Sequence, residues 1–354
     1  MLKSLKRVAL LTGKSLGLFH LFAGSGWRKR RLVILCYHGI SIDDEHEWDP
    51  SLYVSPAIFE QRLRLLRDGG FNVLTLQDGI ERLYSGTLPP KSVAITFDDG
   101  TFDFYLRARP LLMKYRFPAT VYLTTFYCHH HRPVIRLFAS YLLWKARDTF
   151  SGGPLLEFGG AVDLASAAGR SRALAMIERH IIEKDLSLAE RDALLERLAD
   201  QLGLSYRTLV SQRILQLMNP QEVGCLPGDG LDVQLHTHRH RTPLDRDLFL
   251  REIVDNRAEI EQMTGRKAVH FCYPCGVYRD EFLPWLREQH VVSATTCDAG
   301  LASSRNHPLL LPRIVDHCGF SSIELESWLV GLGALLPTRA INPSGESAEP
   351  DLSG

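Results

Sequence analysis

Residues 93–100 read VAITFDDG, an apolar run that ends abruptly on two adjacent aspartates and a glycine. Because Ser92–Phe97 is largely apolar on both faces, it is typical of a central strand in a parallel sheet. Gly100 permits the tight turn that follows. We therefore expect Asp98 and Asp99 at the carboxyl end of a buried strand, where enzymes built on parallel barrels carry their reactive groups.

Apolar, β-branched runs with helical patterns between them recur along the whole chain. The predicted strands are residues 32–36, 71–76, 92–97, 118–124, 231–235, 269–273, 291–296 and 309–315. Alternation of this kind is typical of an α/β fold with a parallel sheet. With about seven or eight strands, a closed or nearly closed (β/α) barrel is favoured over an open sheet.

Strong helix signals separate several of these runs. One helix is predicted to begin at Pro56 with Ser55 as its N-cap, and another begins after Ser187 with a capping box. Between about 128 and 215 the pattern is helical without a clear strand. The sequence therefore predicts one barrel domain over residues 32–335 that carries a helical insertion.

The bulk composition limits the classes of function. The chain has 354 residues, of which 45% are hydrophobic, so it can bury a substantial core. Its 41 basic and 41 acidic residues cancel, and this balance predicts no nucleic-acid partner. Seven cysteines without framework spacing predict reduced thiols. Cys272 and Cys275 form a C-x-x-C, but no second such pair follows to complete a zinc site.

The two ends of the chain differ from the rest. Residues 1–31 contain eight cations and no acidic residue. The cations of the first fourteen residues share one sector of a helical wheel, which favours an amphipathic helix on an anionic membrane surface. A helix packed on the parent domain is an equally supported interpretation. Residues 336–354 are polar and without pattern, and they predict a disordered tail.

A second polar cluster follows the strand predicted at residues 231–235, where the sequence continues HTHRH. His236 and His240 can present two imidazoles to one ion, whereas His238 would point elsewhere. Taken singly, an Asp-Asp-Gly turn and a solvated histidine-rich loop are the favoured explanations of the two clusters. Taken together, one carboxylate and two histidines at the same end of a barrel form the ligand set of a hydrolytic metal centre.

These segments resemble the polysaccharide deacetylases of carbohydrate esterase family 4. TFDDG matches the first motif of that family, HTHRH matches its second motif, H-[ST]-x-x-H, and YPCG is similar to its third. The similarity extends from CYHGI, which begins at Cys36, to LLLPRI, which ends at Ile314. It covers roughly residues 32–320, apart from the helical insertion.

The resemblance implies a distorted (β/α) barrel that binds one divalent ion, usually zinc, through Asp99, His236 and His240. It further implies that Asp98 is the general base and that the backbone N–H of Cys275 stabilises the tetrahedral oxyanion. The remaining residues of the third motif are implied to contact the substrate; they are Tyr273, Pro274 and Gly276.

The sequence departs from the family pattern in three places, one of which is the fourth motif, Asp-x-x-Asp-Trp, which is not recognisable around residues 291–300. The arginine that opens the third motif in many relatives is replaced by Cys272, and Arg313 is a candidate to supply its charge; a surface ion pair is the other explanation for Arg313. The C-terminal Leu-x-His that supplies the acid for the leaving amine is not recognisable, and His317 is the nearest candidate. His38, in an early Tyr-His pair, is either a groove contact or a buried core histidine.

The resemblance thus predicts a metal-dependent hydrolase that removes N-acetyl groups from an amino-sugar glycan or glycolipid and releases acetate. Two alternatives stay open: hydrolysis of another non-peptide amide on the same fold, and glycan binding without turnover. Because no signal peptide is recognisable, we expect the protein in the cytoplasm or at the inner membrane face, although a glycan substrate favours export.

Overall fold

The computed structural model describes residues 2–130, 132–156 and 160–336. The strands are β1 Arg31–Tyr37, β2 Gly39–Ile40, β3 Tyr53–Val54, β4 Asn72–Leu74, β5 Ser92–Phe97, β6 Thr120–Leu123, β7 Gly153–Pro154, β8 Ala161–Val162, β9 Asp232–Leu235, β10 His270–Cys272, β11 Ser293–Ala299, β12 Ala302–Ser303 and β13 Leu311–Val315. The α-helices are α1 Leu2–Ser15, α2 Leu18–Gly24, α3 Gly26–Lys29, α4 Glu45–Trp48, α5 Pro56–Asp68, α6 Leu76–Ser85, α7 Arg109–Tyr115, α8 Ile135–Lys145, α9 Ala167–Glu183, α10 Leu188–Gln201, α11 Tyr206–Ser211, α12 Pro220–Cys225, α13 Arg246–Thr264, α14 Phe282–Glu288 and α15 Ser322–Leu329.

Seven parallel strands close into a barrel, which confirms the predicted fold class. Their order around the ring is β1, β13, β11, β10, β9, β6 and β5, and β5 pairs back with β1 from Val33↔Val93 to Tyr37↔Phe97. All of these pairings are parallel, so the carboxyl ends of the strands meet at one rim.

The run predicted at 71–76 is not a barrel strand, and this part of the prediction is wrong. β4 and β6 pair with the same edge of β5. β4 pairs with its amino-terminal half and β6 with its carboxyl-terminal half. The strand is also short, because the Thr75 side chain caps α6 by accepting a hydrogen bond from the Asp78 amide. β12 adds an antiparallel pair on β1. Neither strand contributes to the ring.

The interior of the barrel is apolar at its amino end and polar at the rim. Buried side chains from alternate strand positions pack there against the buried face of α6. They are Leu32, Ile34, Ala94, Tyr122 and Leu311, together with Leu76, Ile80 and Leu83 of the helix. The intervening residues of the strands face outward into the main core, against the surrounding helices. The amino end of the barrel is therefore closed by packing, and its polar groups lie at the rim.

The helix signals read from the sequence are confirmed where they were strongest. Ser55 accepts a hydrogen bond from the Ile58 amide at the start of α5, and Ser187 and Glu190 form the capping box of α10. Helices α8 to α11 lie within residues 128–215 and share a hydrophobic cluster of their own. The short pair β7–β8 in the same segment was not predicted, because two-residue strands carry no alternation to detect.

The insertion contacts the rim of the barrel through α8. The hydroxyl of Tyr141 donates to Asp44, and Lys145 forms ion pairs with Asp43 and Asp44, which follow β2. Where the insertion returns to the barrel, the Met218 amide donates to the Gly100 carbonyl at 3.0 Å. The residues that directly follow the insertion therefore brace the turn after the paired aspartates.

His270 on β10 joins the barrel wall to α6 through its ring nitrogens. Its environment leads us to expect that the stability of the protein depends on pH. Its ring nitrogens lie 2.8 Å from Ser293 Oγ and 2.5 Å from Gln77 Oε1, and burial lowers its pKa from 6.5 to about 4. Since the unfolded chain binds the proton more tightly between these values, acidification favours unfolding. We expect the free energy of unfolding to fall by about 2 kcal/mol from pH 7 to pH 5 through this group.

Urea denaturation of the wild type and His270→Gln at both pH values measures this contribution. The variant lacks the titrating ring, so its stability should change less with pH. An identical pH dependence in the two proteins would show that the His270 proton is not coupled to folding.

The amino-terminal segment is helical and packs on α15. Leu10, Phe19 and Ala23 are buried against Ile323 and Val330. Within the described residues, no helix is both long enough and apolar enough to cross a bilayer. The predicted disordered tail lies outside the described residues, apart from Leu336, and the domain boundaries themselves stay a prediction.

Candidate metal centre and active site

Three side chains from two strand ends converge at the rim. Asp99 follows β5, and His236 and His240 follow β9, which is separated from β5 by β6. Asp99 Oδ1 lies 3.2 Å from His236 Nε2 and 3.3 Å from His240 Nε2. Asp99 and His240 both have left-handed backbones, with φ of 68° and 57°. These are costly conformations for residues with a Cβ, and they turn the side chains toward one point.

The tautomer of His236 leaves its Nε2 available as a ligand. The ring Nδ1 lies 2.9 Å from the carbonyl oxygen of Cys272, which can only accept a hydrogen bond. Nδ1 is therefore the protonated nitrogen, and Nε2 of the neutral imidazole carries a lone pair. A carbonyl partner of this kind is the usual support for a metal-binding histidine.

The donor set fits a divalent cation. Asp99 Oδ1 is buried, and no described N–H or O–H group is directed at it with hydrogen-bond geometry. Asp99 Oδ1 lies 3.2 Å from His236 Nε2 and 3.3 Å from His240 Nε2, and the lone pairs of Asp99 Oδ1 and His236 Nε2 repel unless a positive charge lies between them. Two ligands with bonds of about 2.0–2.1 Å in a tetrahedral site lie roughly 3.3 Å apart, which these separations match. Asp99, His236 and His240 therefore form a candidate site for a metal such as zinc.

Two buried polar residues of α13 hold the histidine-bearing loop. Asn256 Oδ1 accepts from the His236 amide at 2.9 Å, and Asn256 Nδ2 donates to the Leu123 carbonyl and to Thr125 Oγ1. One turn earlier, Glu252 accepts from the Arg239 amide at 2.7 Å and from Arg241 Nε at 2.8 Å. Sequence reasoning missed both residues. The available signal was a pair of polar residues, four apart, on the apolar face of a helix.

Asn256→Ala should weaken metal binding without removing a ligand. Loss of the amide leaves the His236 backbone N–H unsatisfied in a buried position, so the loop relaxes and the imidazole loses its orientation. Outer partners of metal ligands are typically worth about 10–100-fold in affinity, and we expect a decrease of that size. Competition with a chromogenic chelator measures it. Val254→Ala, an exposed position on the same helix, is the matched control, and equal affinities in both variants would contradict the assignment.

Asp98, beside the three candidate ligands, forms a buried ion pair with Arg313. Arg313 donates from Nη1 to Asp98 Oδ1 at 2.7 Å and from Nη2 to Asp98 Oδ2 at 2.8 Å, and neither side chain is more than 3% exposed. The interpretation of Arg313 as a surface residue is therefore wrong. Nη2 also lies 3.1 Å from the sulfur of Cys272, which stands where many relatives carry arginine. The guanidinium beside Asp98 therefore comes from β13, whereas Cys272 lies on β10.

The electrostatics keep Asp98 ionised. Burial by itself would raise the pKa of this carboxyl, but the charge of Arg313 and its two hydrogen bonds outweigh burial, so the pKa lies well below its usual range. A ligand atom of His236 lies within 4.8 Å of the Asp98 carboxylate. A proton acceptor therefore stands next to the candidate metal ligands without being one of them.

In each of two further groups, three potential ligand atoms lie within 4.8 Å of one another. They are Cys36 with His38 and Asp98, and Asp98 with His236 and Cys272. Both depend on Asp98, whose carboxylate is already bound by Arg313. A second cation beside a guanidinium is disfavoured by like-charge repulsion, so we do not regard these groups as metal sites.

The third motif forms a turn at the rim after β10. Cys275 is exposed and has a left-handed backbone with φ of 55°. Gly276 is buried with φ of 70°, and a Cβ there would meet the Cβ of Cys297 at 2.7 Å. Tyr273 lies in the main core outside the barrel, where its hydroxyl donates to the Leu309 carbonyl. The side chain of Tyr273 is therefore not available for the predicted substrate contact, and Pro274 is likewise buried.

The two histidines left open by the sequence have different surroundings. His38 Nε2 lies 3.8 Å from Asp98 Oδ2, and its side chain is 20% exposed, so it borders the site rather than filling the core. His317 also follows a barrel strand, but its ring stacks on Phe320, and its Nδ1 accepts from the Gly319 amide. His38 is therefore the histidine of this pair that contacts Asp98.

Comparison with known proteins finds similarity to polysaccharide deacetylases. The family model described as polysaccharide deacetylase matches residues 85–141 and 192–293. A curated Bacillus subtilis protein, YxkH, named for the same activity, is 38% identical over 104 residues, which are 28% of this chain and 35% of that protein. The poly-β-1,6-N-acetyl-D-glucosamine N-deacetylase of Escherichia coli (strain K12) is 29% identical over 100 residues, 28% of this chain and 15% of that protein.

The solved structures support the fold over most of the chain. The deacetylase PplD of Streptococcus pyogenes, solved with acetate, aligns with a TM-score of 0.56 at 20% identity over 87% of this chain and 99% of its own. At 20% identity, this structural similarity supports only the fold. The alignments with the two curated proteins span only 35% and 15% of their lengths.

Proposed function

Because the chain belongs to the polysaccharide deacetylase family, we propose that it hydrolyses the N-acetyl groups of amino sugars in a glycan with the help of one divalent metal ion, zinc. The observation that carries the proposal is the meeting of Asp99, His236 and His240 at the rim, with an ionised Asp98 beside them. The name of the Escherichia coli relative makes a poly-N-acetylglucosamine the first substrate to test.

The roles of the residues follow from their chemistry. A divalent cation bound by Asp99, His236 and His240 would polarise the acetyl carbonyl and make a water molecule more acidic. Asp98 accepts a proton from the attacking water, whose oxygen forms a bond to the carbonyl carbon. The carbon–nitrogen bond then breaks, the amine nitrogen takes up a proton, and the products are acetate and a free amino sugar.

Arg313 is assigned to hold Asp98 in its working state. Its planar fork fixes both carboxylate oxygens and so fixes the direction in which Asp98 can accept a proton. The same contact keeps the carboxyl ionised despite burial. A strong ion pair makes a weaker base, so the proposal implies that availability and orientation of the carboxylate matter more here than its intrinsic basicity.

Two groups at the rim are assigned to the charges that develop during the reaction. The backbone N–H of Cys275 is the donor to the oxyanion, and a backbone donor does not depend on the side chain at that position. His38, next to Asp98, is the proton donor to the leaving amine, because it combines partial exposure with a contact to the base. This assignment replaces His317, whose ring is engaged elsewhere.

Acetate release from β-1,6- and β-1,4-linked N-acetylglucosamine oligomers, measured with metal content on the same sample, tests the proposal. Asp98→Asn should keep the metal and lose about 10²–10⁴-fold in rate, as expected for a general base. Hydrolysis of a cyclic imide or ureide instead of the oligomers would favour the other amide reaction. Equal oligomer binding with no turnover in wild type and variant would favour a glycan-binding protein.

A further inference from the structure

The amino-terminal helices expose an unusual number of apolar side chains. Val8, Leu11, Leu16, Leu18 and Leu21 are 58%, 49%, 73%, 39% and 68% exposed. These five residues, which we call the arm face, lie within fourteen consecutive positions. Scattered single leucines are normal on protein surfaces, but a concentration of this kind marks a site of interaction.

α1 does not turn all of its described apolar side chains toward the barrel. Its inward face carries Leu10 and two lysines: Lys14 pairs with Glu326 at 2.6 Å, and Lys6 pairs with Glu324 at 3.6 Å. Val8 and Leu11, on the same helix, are directed toward solvent. A helix that needed only the barrel for stability would turn its apolar side inward.

Charge identifies the partner as anionic. The arm contains no acidic residue among its first 31 positions. Lys6 and Lys14 are neutralised by α15, but Arg7, Lys29 and Arg30 are exposed and form no ion pair within the described residues. Arg7 lies on α1 itself, beside the outward face that carries Leu11. The arm therefore offers aliphatic side chains together with uncompensated positive charge.

We propose that the arm face docks on an anionic lipid surface. Aliphatic residues on short helices flanked by Lys and Arg are the composition of helices that lie in the membrane interface. A specific protein partner is less well matched, because the arm face lacks the aromatic anchors on which such interfaces depend. Self-association would bring the same uncompensated cations of two copies together. The proposal concerns attachment and does not depend on the hydrolytic function.

Vesicle flotation with the full-length chain tests this docking. At low ionic strength the wild type should bind vesicles that contain phosphatidylglycerol and should bind phosphatidylcholine vesicles much more weakly. Leu16→Ser/Leu21→Ser should lower the partition coefficient by about 10-fold or more, since two inserted leucines are lost. Lys29→Gln/Arg30→Gln should lower it by roughly 10–30-fold and reduce its dependence on salt.

Leu244→Ser/Val292→Ser is the matched control, because these residues are 63% and 50% exposed elsewhere on the chain. This variant should float as the wild type does, and all variants should hydrolyse a soluble substrate at an equal rate. Absence of wild-type binding to anionic vesicles, or equal binding by the arm variants, would overturn the proposal. A dimer that Leu16→Ser/Leu21→Ser converts to monomer, without vesicle binding, would instead identify an interface between copies.

Discussion

His236→Ala is expected to lose its metal and, with it, acetate release. The substitution removes one of three side-chain ligands from a site whose two remaining donors, Asp99 and His240, come from different strand ends. We expect metal content to fall from about one equivalent to less than about 0.1. A metal that contributes several kcal/mol to the transition state is worth about 10³-fold or more in rate, so turnover should fall by at least that factor.

His238→Ala is the control for this experiment, because it alters the same segment without touching the candidate ligand set. The ring of His238 contacts Thr125 Oγ1 at 2.8 Å through Nδ1 and packs edge-on against Phe126. This variant should keep a full metal complement. A full complement in purified His236→Ala as well, measured by elemental analysis, would contradict the ligand assignment. Loss of metal from both variants would indicate that the whole loop had unfolded, which circular dichroism and thermal melting would reveal.

The residues that the sequence placed correctly are those whose chemistry is local. Ser92–Phe97 was predicted to the residue, because a fully buried parallel strand has a continuous apolar pattern and a turn after it. The segment 71–76 has a similar composition, yet it forms only a three-residue strand outside the ring. Whether a strand enters the ring depends on which edge is already occupied, and β6 occupies the needed half of β5. Composition carries no information about that competition.

The residues of the candidate site likewise fall into those that the sequence indicated and those that only the fold revealed. Residue type and spacing singled out His236 and His240, whereas the choice of Asp99 as the carboxylate ligand came from the family resemblance. The contact between Asp98 and Arg313 joins residues 215 positions apart, and it was available from the sequence only as one of two explanations. Asn256 and Glu252 were missed entirely, since their function comes from the loop they contact in the folded chain. A side chain that acts by holding another residue can be recognised only from its contacts in the folded protein.

Arg313→Met is expected to destabilise the protein as well as to inactivate it. Asp98 would remain in a site that is 3% exposed, with its charge no longer compensated. Removing one partner of a buried ion pair typically costs about 3–5 kcal/mol, because the other charge stays desolvated. We expect a loss of that size in the free energy of unfolding, measured by urea denaturation. Arg82→Met, which breaks the half-exposed pair with Asp78, should cost less than about 1 kcal/mol.

The double variant Asp98→Asn/Arg313→Met separates the charge effect from simple loss of packing. If the cost of Arg313→Met comes from the stranded carboxylate, neutralising Asp98 should restore most of the lost stability, although turnover stays low because no base remains. Arg313→Lys should fall between wild type and Arg313→Met, since an ammonium keeps the charge but cannot fix both carboxylate oxygens at once. Equal destabilisation in the single and double variants would mean that Arg313 acts by filling space, and its assignment as the residue that keeps Asp98 ionised would then be wrong.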